Sequence, residues 1–133
     1  EIDLIGLDVT SNIQFPLDVF VQGAKSSPRI GGFIRDISNF YIDFYTKVVG
    51  KPVCLIHDPA AILAVTDPDI FTFQKVPLSV IVEGEKVGNV FVCKNLERRS
   101  VNVAINVDIK AAQKRFKSIF SKADAALNKR INS

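Results

Sequence analysis

A histidine and an aspartate lie side by side between two apolar runs, in the segment VCLIHDPAAILAV at residues 53–65. His57 is the only histidine of the chain, and Asp58 follows it directly. Polar groups among apolar neighbours need a hydrogen bond, a metal ion or exposure at the end of an element. Imidazole can transfer a proton near neutral pH, and a carboxylate is a hard oxygen ligand that suits Ca²⁺. The pair is therefore a candidate for acid catalysis and cation binding.

The pattern around the pair predicts that a helix begins there. Asp58 is expected to be its N-cap and Pro59 its first residue, where the missing N–H group costs nothing. An aspartate in such a place is ordinarily a structural cap, and a lone histidine beside apolar residues is ordinarily part of the core or its rim. In α/β folds, however, chemistry gathers where strands end and helices begin. The pair remains a candidate on these grounds.

Elements on both sides must position this pair. VCLI predicts a short buried strand before it, and PAAILAV a buried helix after it. Residues 2–9 predict a strand, SNIQFPLDVF a turn into a short helix with Pro16 at its first position, and QGAKSSPRIGG a loop. A longer amphipathic helix is expected to end near Gly50. Its apolar stripe, which is expected to belong to the core, comprises Phe33, Ile34, Ile37, Phe40, Tyr41, Phe44, Tyr45 and Val48.

The second half of the chain predicts strands and a closing helix. FTFQKVPLSVIVEG, KVGNVFVC and VNVAINVD are rich in β-branched residues and are separated by turn-like segments. After them, apolar residues recur at helical spacing from residue 109 onward. Helices and strands that alternate and then end in a helix indicate an α/β layer architecture.

Composition and charge exclude several classes of protein. A chain of 133 residues with 47% hydrophobic composition can form one domain with a real core. No apolar run reaches the roughly 18 residues that a membrane span needs. Residues 109–133 hold seven lysines and arginines against one aspartate. A solvated helix face explains this charge better than a nucleic-acid surface, because no binding motif accompanies it.

The two cysteines show no metal-binding or disulfide spacing. Cys54 and Cys93 each lie in an apolar run and are expected to be buried thiols. Cys54 lies three residues before His57, which suggests a thiol nucleophile, but no residue nearby would orient the histidine for that role.

A resemblance adds to these observations. The strings GLDVT, FYIDFYTKVVG, LIHDPAAILAVTDPDIFTFQKVPLSVIVEGE and NVAINVD resemble, in that order, the carboxy-terminal half of the inosine-uridine type nucleoside hydrolases. The resemblance implies an α/β fold with an open, mostly parallel sheet flanked by helices, of which residues 1–133 are a carboxy-terminal fragment of a single domain. It also implies hydrolysis of the N-glycosidic bond of ribonucleosides to ribose and free base, with Ca²⁺ as cofactor.

The resemblance assigns roles to three residues of this chain. His57 matches the histidine near the leaving base and is expected to donate a proton to it. Asp58 matches an aspartate that binds Ca²⁺ and the ribose. Tyr45 is a candidate for contact with the base, with a core aromatic as the alternative. Purine or pyrimidine preference stays open.

Part of the family pattern lies outside this sequence. The signature D-T-D-x-G-x-D-D, which supplies the other calcium aspartates, does not occur in residues 1–133. Ca²⁺ takes about six to eight oxygen ligands, so we expect the chain alone neither to bind Ca²⁺ well nor to hydrolyse nucleosides. The expected partners are a ribonucleoside, the missing amino-terminal half and further copies in a homo-oligomer, without nucleic acid or membrane, in the cytoplasm. The alternative is a non-catalytic binding or interaction module derived from the same fold.

Overall fold

The computed structural model describes residues 2–94 and 97–132, and within this part helices and short strands alternate. The strands are β1 (Asp3–Leu4), β2 (Gln14–Pro16), β3 (Val53–Leu55), β4 (Phe71–Val80), β5 (Val90–Val92) and β6 (Ser100–Val107). The helices are α1 (Leu7–Thr10), α2 (Leu17–Ser26), α3 (Ile30–Val49), α4 (His57–Thr66), α5 (Ile109–Ser121) and α6 (Ala123–Ile131), and a 3₁₀ turn covers Pro68–Ile70.

A four-stranded sheet of order β1-β6-β4-β5 forms one layer. β1 runs parallel to β6, whereas β4 is antiparallel to both β6 and β5. A separate antiparallel ribbon pairs β2 with β3, and it places Phe15 opposite Cys54. The expected α/β class is confirmed, with helices flanking a sheet that is mixed in this part of the chain. The strands expected in the second half form β4, β5 and β6.

The core lies between the helices and the inner faces of these strands. Ile13 and Phe15 are completely buried, and Phe20 and Phe120 nearly so. The ring of Phe116 lies 4.6 Å from that of Phe15 and 5.7 Å from that of Phe120, which joins α5 to β2. Offset and tilted aromatic pairs of this kind add to the stability that their buried area provides.

The segment expected to be a loop, residues 22–32, is mostly helical. α2 continues to Ser26 and α3 begins at Ile30, so only a short turn separates them. The loop prediction was wrong because glycine has a second use at close contacts. A Cβ atom on Gly31 would lie 2.5 Å from the carbonyl oxygen of Gly23, and one on Gly23 would lie 2.3 Å from the ring of Phe120.

Helix α3 is fixed at both ends. At its start, the carboxylate of Asp124 accepts hydrogen bonds from the backbone N–H groups of Arg29 (2.9 Å) and Ile30 (2.8 Å). At its end, Gly50 adopts the left-handed conformation with φ of 75°, as expected for a helix C-cap. The long helix and its end near Gly50 are therefore confirmed.

The aromatic stripe of α3 is largely exposed, so its assignment to the core was wrong. Phe40 is 76% exposed and Phe33 63%, while Ile42 on the opposite side is buried. Helical spacing of apolar residues identifies a continuous apolar face, but it does not identify what covers that face.

Other sequence predictions need smaller corrections. Residues 2–9 form a strand only at Asp3–Leu4, because α1 begins directly after Gly6. Pro16 ends β2 and precedes α2 instead of opening the helix. The closing helix is two helices that meet at Lys122. The helix after His57 is buried on one side only, since Val65 is 80% exposed. Within the described ranges, every helix is too short or too polar to cross a bilayer.

Candidate active site

His57 is the first residue of α4 and directly follows the strand β3. The helix begins two residues earlier than expected, because Ile56 is the flanking residue and its carbonyl accepts from the N–H group of Ala60 at 3.1 Å. The prediction that Asp58 is the N-cap was therefore wrong. Asp58 lies in the first helical turn, where a negative charge is favoured by the helix dipole, and its side chain is exposed.

Two hydroxyl groups hold the imidazole ring of His57. The Thr10 Oγ1 atom lies 2.6 Å from Nδ1, and the Tyr45 hydroxyl lies 3.0 Å from Nε2. The partners come from α1 and α3, so three helices meet at the ring. A hydroxyl can donate or accept a hydrogen bond, which lets this arrangement satisfy either tautomer of a neutral imidazole.

Burial affects the groups beside the ring. It raises the pKa of Tyr45, with smaller contributions from Cys54 and Tyr41, so the phenol keeps its proton. Burial also raises the pKa of the Cys54 thiol. A thiol with a raised pKa is a poor nucleophile, which argues against the Cys54–His57 nucleophile. Cys54 is buried as expected, whereas Cys93 is only half-buried.

A cavity of about 500 Å³ opens beside His57. Its volume lies within the range of small-molecule sites in proteins. Asp58 and His57 provide polar groups at its edge, and Ser38 and Tyr41 from α3 contribute further hydroxyls. The rest of the wall is mainly apolar and comprises Phe20, Ile34, Ile37, Cys54, Leu55, Ile56, Pro59 and Phe116. The arrangement suits a flat, partly apolar ligand with polar groups at one end.

The structure brings together the three residues that sequence reasoning selected and adds others. Tyr45 contacts His57 directly, and Asp58 lies beside it on the cavity wall. Tyr41 and Ser38 were missed, although Tyr41 lies one helical turn before Tyr45 and so shares its face. Thr10 was also missed, because nothing in its local sequence indicates a contact with a residue 47 positions away.

Asp58 could provide one ligand to a metal ion. Across residues 2–94 and 97–132, no three side chains of histidine, cysteine, aspartate or glutamate come together in a way that would hold a metal. Ca²⁺ takes about six to eight oxygens, so a single carboxylate fits a shared site and not a complete one. The residues present therefore fit Ca²⁺ only as part of a larger ligand set.

Comparison with known proteins decides the family. A model of the family described as inosine-uridine preferring nucleoside hydrolase matches residues 1–114. The chain belongs to the inosine-uridine preferring nucleoside hydrolase family. The resemblance inferred from the sequence is thereby confirmed, and the match includes β1 and continues through the first turns of α5.

Similar members of the nucleoside hydrolase family come from plants, protozoa and bacteria. Uridine nucleosidase 1 of Arabidopsis thaliana is 28% identical over 98 residues, which are 74% of this chain and 29% of that protein. The inosine-uridine preferring nucleoside hydrolase of Crithidia fasciculata is 22% identical over 85 residues, which are 64% of this chain and 27% of that protein. The chain spans about a third of the length of the curated relatives that it matches.

Solved structures of nucleoside hydrolases share the fold. The purine-preferring ribonucleoside hydrolase from Gardnerella vaginalis superimposes with a TM-score of 0.79 and 28% identity, over 90% of this chain and 39% of that one. The plant nucleoside hydrolase PpNRh1 gives the same TM-score of 0.79 at 20% identity, over 92% of this chain and 40% of that one. The arrangement of helices and strands around His57 is therefore that of a nucleoside hydrolase.

Proposed function

We propose that this chain carries the leaving-group acid of a nucleoside N-ribohydrolase and forms one wall of its substrate cleft. The observation that supports this most is the imidazole of His57, held between two hydroxyls at the edge of a cavity beside Asp58. A general acid must be oriented toward its substrate and within hydrogen-bond reach of it. Membership of the nucleoside hydrolase family supplies the reaction class.

Each residue has a defined role in the proposed reaction. As the bond between the anomeric carbon and the base nitrogen breaks, its electron pair moves to the base, and protonated His57 donates a proton there. The sugar becomes oxocarbenium-like, and water adds to its anomeric carbon and releases a proton to solvent, as in other glycoside cleavage. Tyr45, next to the His57 ring, is proposed to contact the base. Tyr41 extends the aromatic wall on which a flat base would lie.

Asp58 is proposed to hold Ca²⁺ and a ribose hydroxyl, together with ligands that this chain does not contain. Bound Ca²⁺ would orient the ribose hydroxyls and the attacking water. With one carboxylate, residues 1–133 should not bind Ca²⁺ tightly or hydrolyse nucleosides. Isothermal titration of the 133-residue chain with CaCl₂, and an assay of ribose release by the same chain, test both statements. Tight binding or measurable turnover would contradict them.

The enzymatic role is tested on the complete gene product. Ribose release from inosine and from uridine is measured for the wild type and for His57→Ala and Asp58→Ala. Asp69→Ala is the matched control, because Asp69 is exposed on the 3₁₀ turn and outside the cavity wall. We expect the His57 variant to lose about 10²- to 10⁴-fold in rate, the usual contribution of general acid catalysis. An inert full-length wild type would favour the alternative, a non-catalytic binding module of the same fold.

The proposal includes protein partners. The rest of the domain is expected to cover the exposed apolar face of α3, and a second copy to cover the apolar surface near β5, because several large apolar side chains are exposed in each place and contiguous apolar surface is usually buried by a partner. Sedimentation of the complete protein should show a homo-oligomer, and a strict monomer would contradict that part.

Nucleic acid has no part in the proposal, and neither does a membrane. Appreciable DNA binding at low salt that weakens steeply as salt rises would contradict it, because contacts with phosphate have that dependence. We also propose a cytoplasmic location, which agrees with the position of Cys54 outside any disulfide. Fractionation of cells with an antibody to the chain would test it.

A further inference from the structure

We propose that Thr10 is a positioning residue for His57. Its hydroxyl fixes the orientation of the imidazole from the side opposite Tyr45. The catalytic meaning of this role rests on the proposed function, whereas the contact itself can be tested without any activity.

The Thr10 hydroxyl is held rigidly in the core. Thr10 is 2% exposed, and Val9 and Ile13 on either side of it are also buried. The backbone N–H groups of Val9 and Thr10 both donate to the carbonyl of Gly6 at 3.1 Å, which anchors this short helical turn. A side chain fixed in this way has little conformational freedom, so it can restrict the rotation of a neighbouring ring.

The contact determines how the His57 ring is turned. With Nδ1 bonded to Thr10 at 2.6 Å, rotation of the ring about its Cβ–Cγ bond would break that hydrogen bond. The opposite nitrogen, Nε2, is thereby directed to the side of Tyr45, at the helix that forms the cavity wall. Partners on the far nitrogen of a functional histidine commonly set its tautomer and orientation.

The chemistry of the partner matters as much as its place. Asp8, two residues before Thr10, is exposed, so the carboxylate of this segment does not take the position behind the ring. The group there is a neutral hydroxyl, which can donate to Nδ1 or accept from it. Thr10 therefore constrains the direction of the ring without placing a negative charge behind it.

The single histidine of the chain makes a direct test possible. The 133-residue protein is labelled with ¹⁵N-histidine, and the two ring nitrogens give the only imidazole signals in the NMR spectrum. We expect the Nδ1 signal to show a hydrogen bond in the wild type and in Thr10→Ser, and to lose it in Thr10→Val. Thr72→Val is the matched control, because Thr72 is exposed on β4.

Several outcomes would overturn the proposal. One is a Nδ1 signal in Thr10→Val that equals the wild type, and another is an equal change in Thr72→Val. Backbone amide spectra show whether each variant is folded. If Thr10→Val does not fold, the wild-type spectrum alone still tests the hydrogen bond. Ring nitrogen signals of His57 that equal those of free histidine, averaged over both tautomers, would show that Thr10 does not hold the ring.

A kinetic test on the complete enzyme links the contact to turnover. We expect Thr10→Val to lower kcat by about 10- to 100-fold, as is typical when a partner behind a functional histidine is removed, with little change in KM. Thr10→Ser should restore most of the rate. A Thr10→Val enzyme with wild-type kcat would refute the positioning role. If the complete wild type hydrolyses no nucleoside, the proposed function fails, while the ring spectra still test the contact.

Discussion

Two regions of the molecule have similar apolar sequences and opposite surroundings. The first, the body, comprises the helices together with β2 and β3 around His57, and the second, the outer hairpin, comprises residues 78–92. In the body, Ile13 and Phe15 are completely buried. In the outer hairpin, Val82 is 77% exposed and Phe91 47%. Apolar composition thus predicts that a segment forms a strand, but other elements decide whether it is covered. The body is stabilised within the chain, whereas the hairpin leaves apolar side chains exposed.

Truncation of one phenylalanine in each region should give the largest contrast. Phe15→Ala removes a fully buried ring in tilted contact with Phe116, so we expect a loss of about 3–5 kcal/mol in the free energy of unfolding. Phe91→Ala removes a ring that is nearly half exposed and should cost less than about 1.5 kcal/mol. Urea unfolding followed by circular dichroism measures both, and equal losses would remove the distinction between the regions.

Alanine substitutions at two glycines of the helices should change stability in opposite directions, because only one of the glycines permits a close contact. A Cβ atom on Gly23 would overlap the ring of Phe120, so Gly23→Ala is expected to destabilise the fold by about 1–3 kcal/mol. At Gly32 an added Cβ atom meets nothing within 4 Å, and Gly32→Ala should stabilise α3 by up to about 1 kcal/mol. Thermal unfolding of both variants checks the signs, and a stabilising Gly23→Ala would contradict the packing described.

The capping of α3 by Asp124 offers a smaller test of the body. Asp124→Ala leaves the N–H groups of Arg29 and Ile30 without this acceptor and should cost about 1–2 kcal/mol. Asp36→Ala is the matched control, because it breaks only an exposed ion pair with Arg35 and should cost less than about 1 kcal/mol. Urea unfolding distinguishes the two, and a loss for Asp36→Ala as large as that for Asp124→Ala would argue against the cap.

The smallest effect is expected from the ion pair between Asp67 and Arg115. Hydrogen bonds from Thr66 and then Arg115 hold the pKa of Asp67 below its ordinary value. As the pH falls, the unfolded state therefore binds a proton at Asp67 before the folded state does. The ion pair contributes to the free energy of unfolding above about pH 4, the ordinary aspartate pKa, and this contribution is lost as the pH falls through the lower pKa of the folded state. Arg115→Ala should be less stable than the exposed control Lys114→Ala at pH 7 and similar to it in strong acid. Thermal unfolding over this pH range measures the difference.

Local patterns were sufficient for much of the fold. The β-branched runs predicted β4, β5 and β6, and the helical spacing before Gly50 predicted α3 with its correct end. Residues 22–32 were predicted as a loop because Gly23 and Gly31 have two possible meanings in a sequence, a break or a close contact. Only the packed structure distinguishes these meanings.

The candidate site also contains residues that the sequence could predict and residues that it could not. His57 and Asp58 could be selected from the sequence because polar residues between two apolar runs are conspicuous, and the resemblance added their roles. Thr10 and the capping carboxylate of Asp124 act on residues far away in the sequence, and no local pattern encodes such a contact. Exposure of the α3 stripe was also unpredictable, because helical spacing identifies an apolar face but not what packs against it.

The contacts between the first and last parts of the chain have a consequence for folding. β1 pairs with β6 through Asp3 and Asn102, and the Gln113 side chain donates to the backbone carbonyl of Gln14, a separation of 99 residues. Contacts this distant in sequence make folding slow compared with that of locally connected helical proteins. During synthesis at about 5–20 residues per second, the first strand waits roughly 5 to 20 s for its partner. Through that interval β1 lacks the strand with which it pairs in the folded chain.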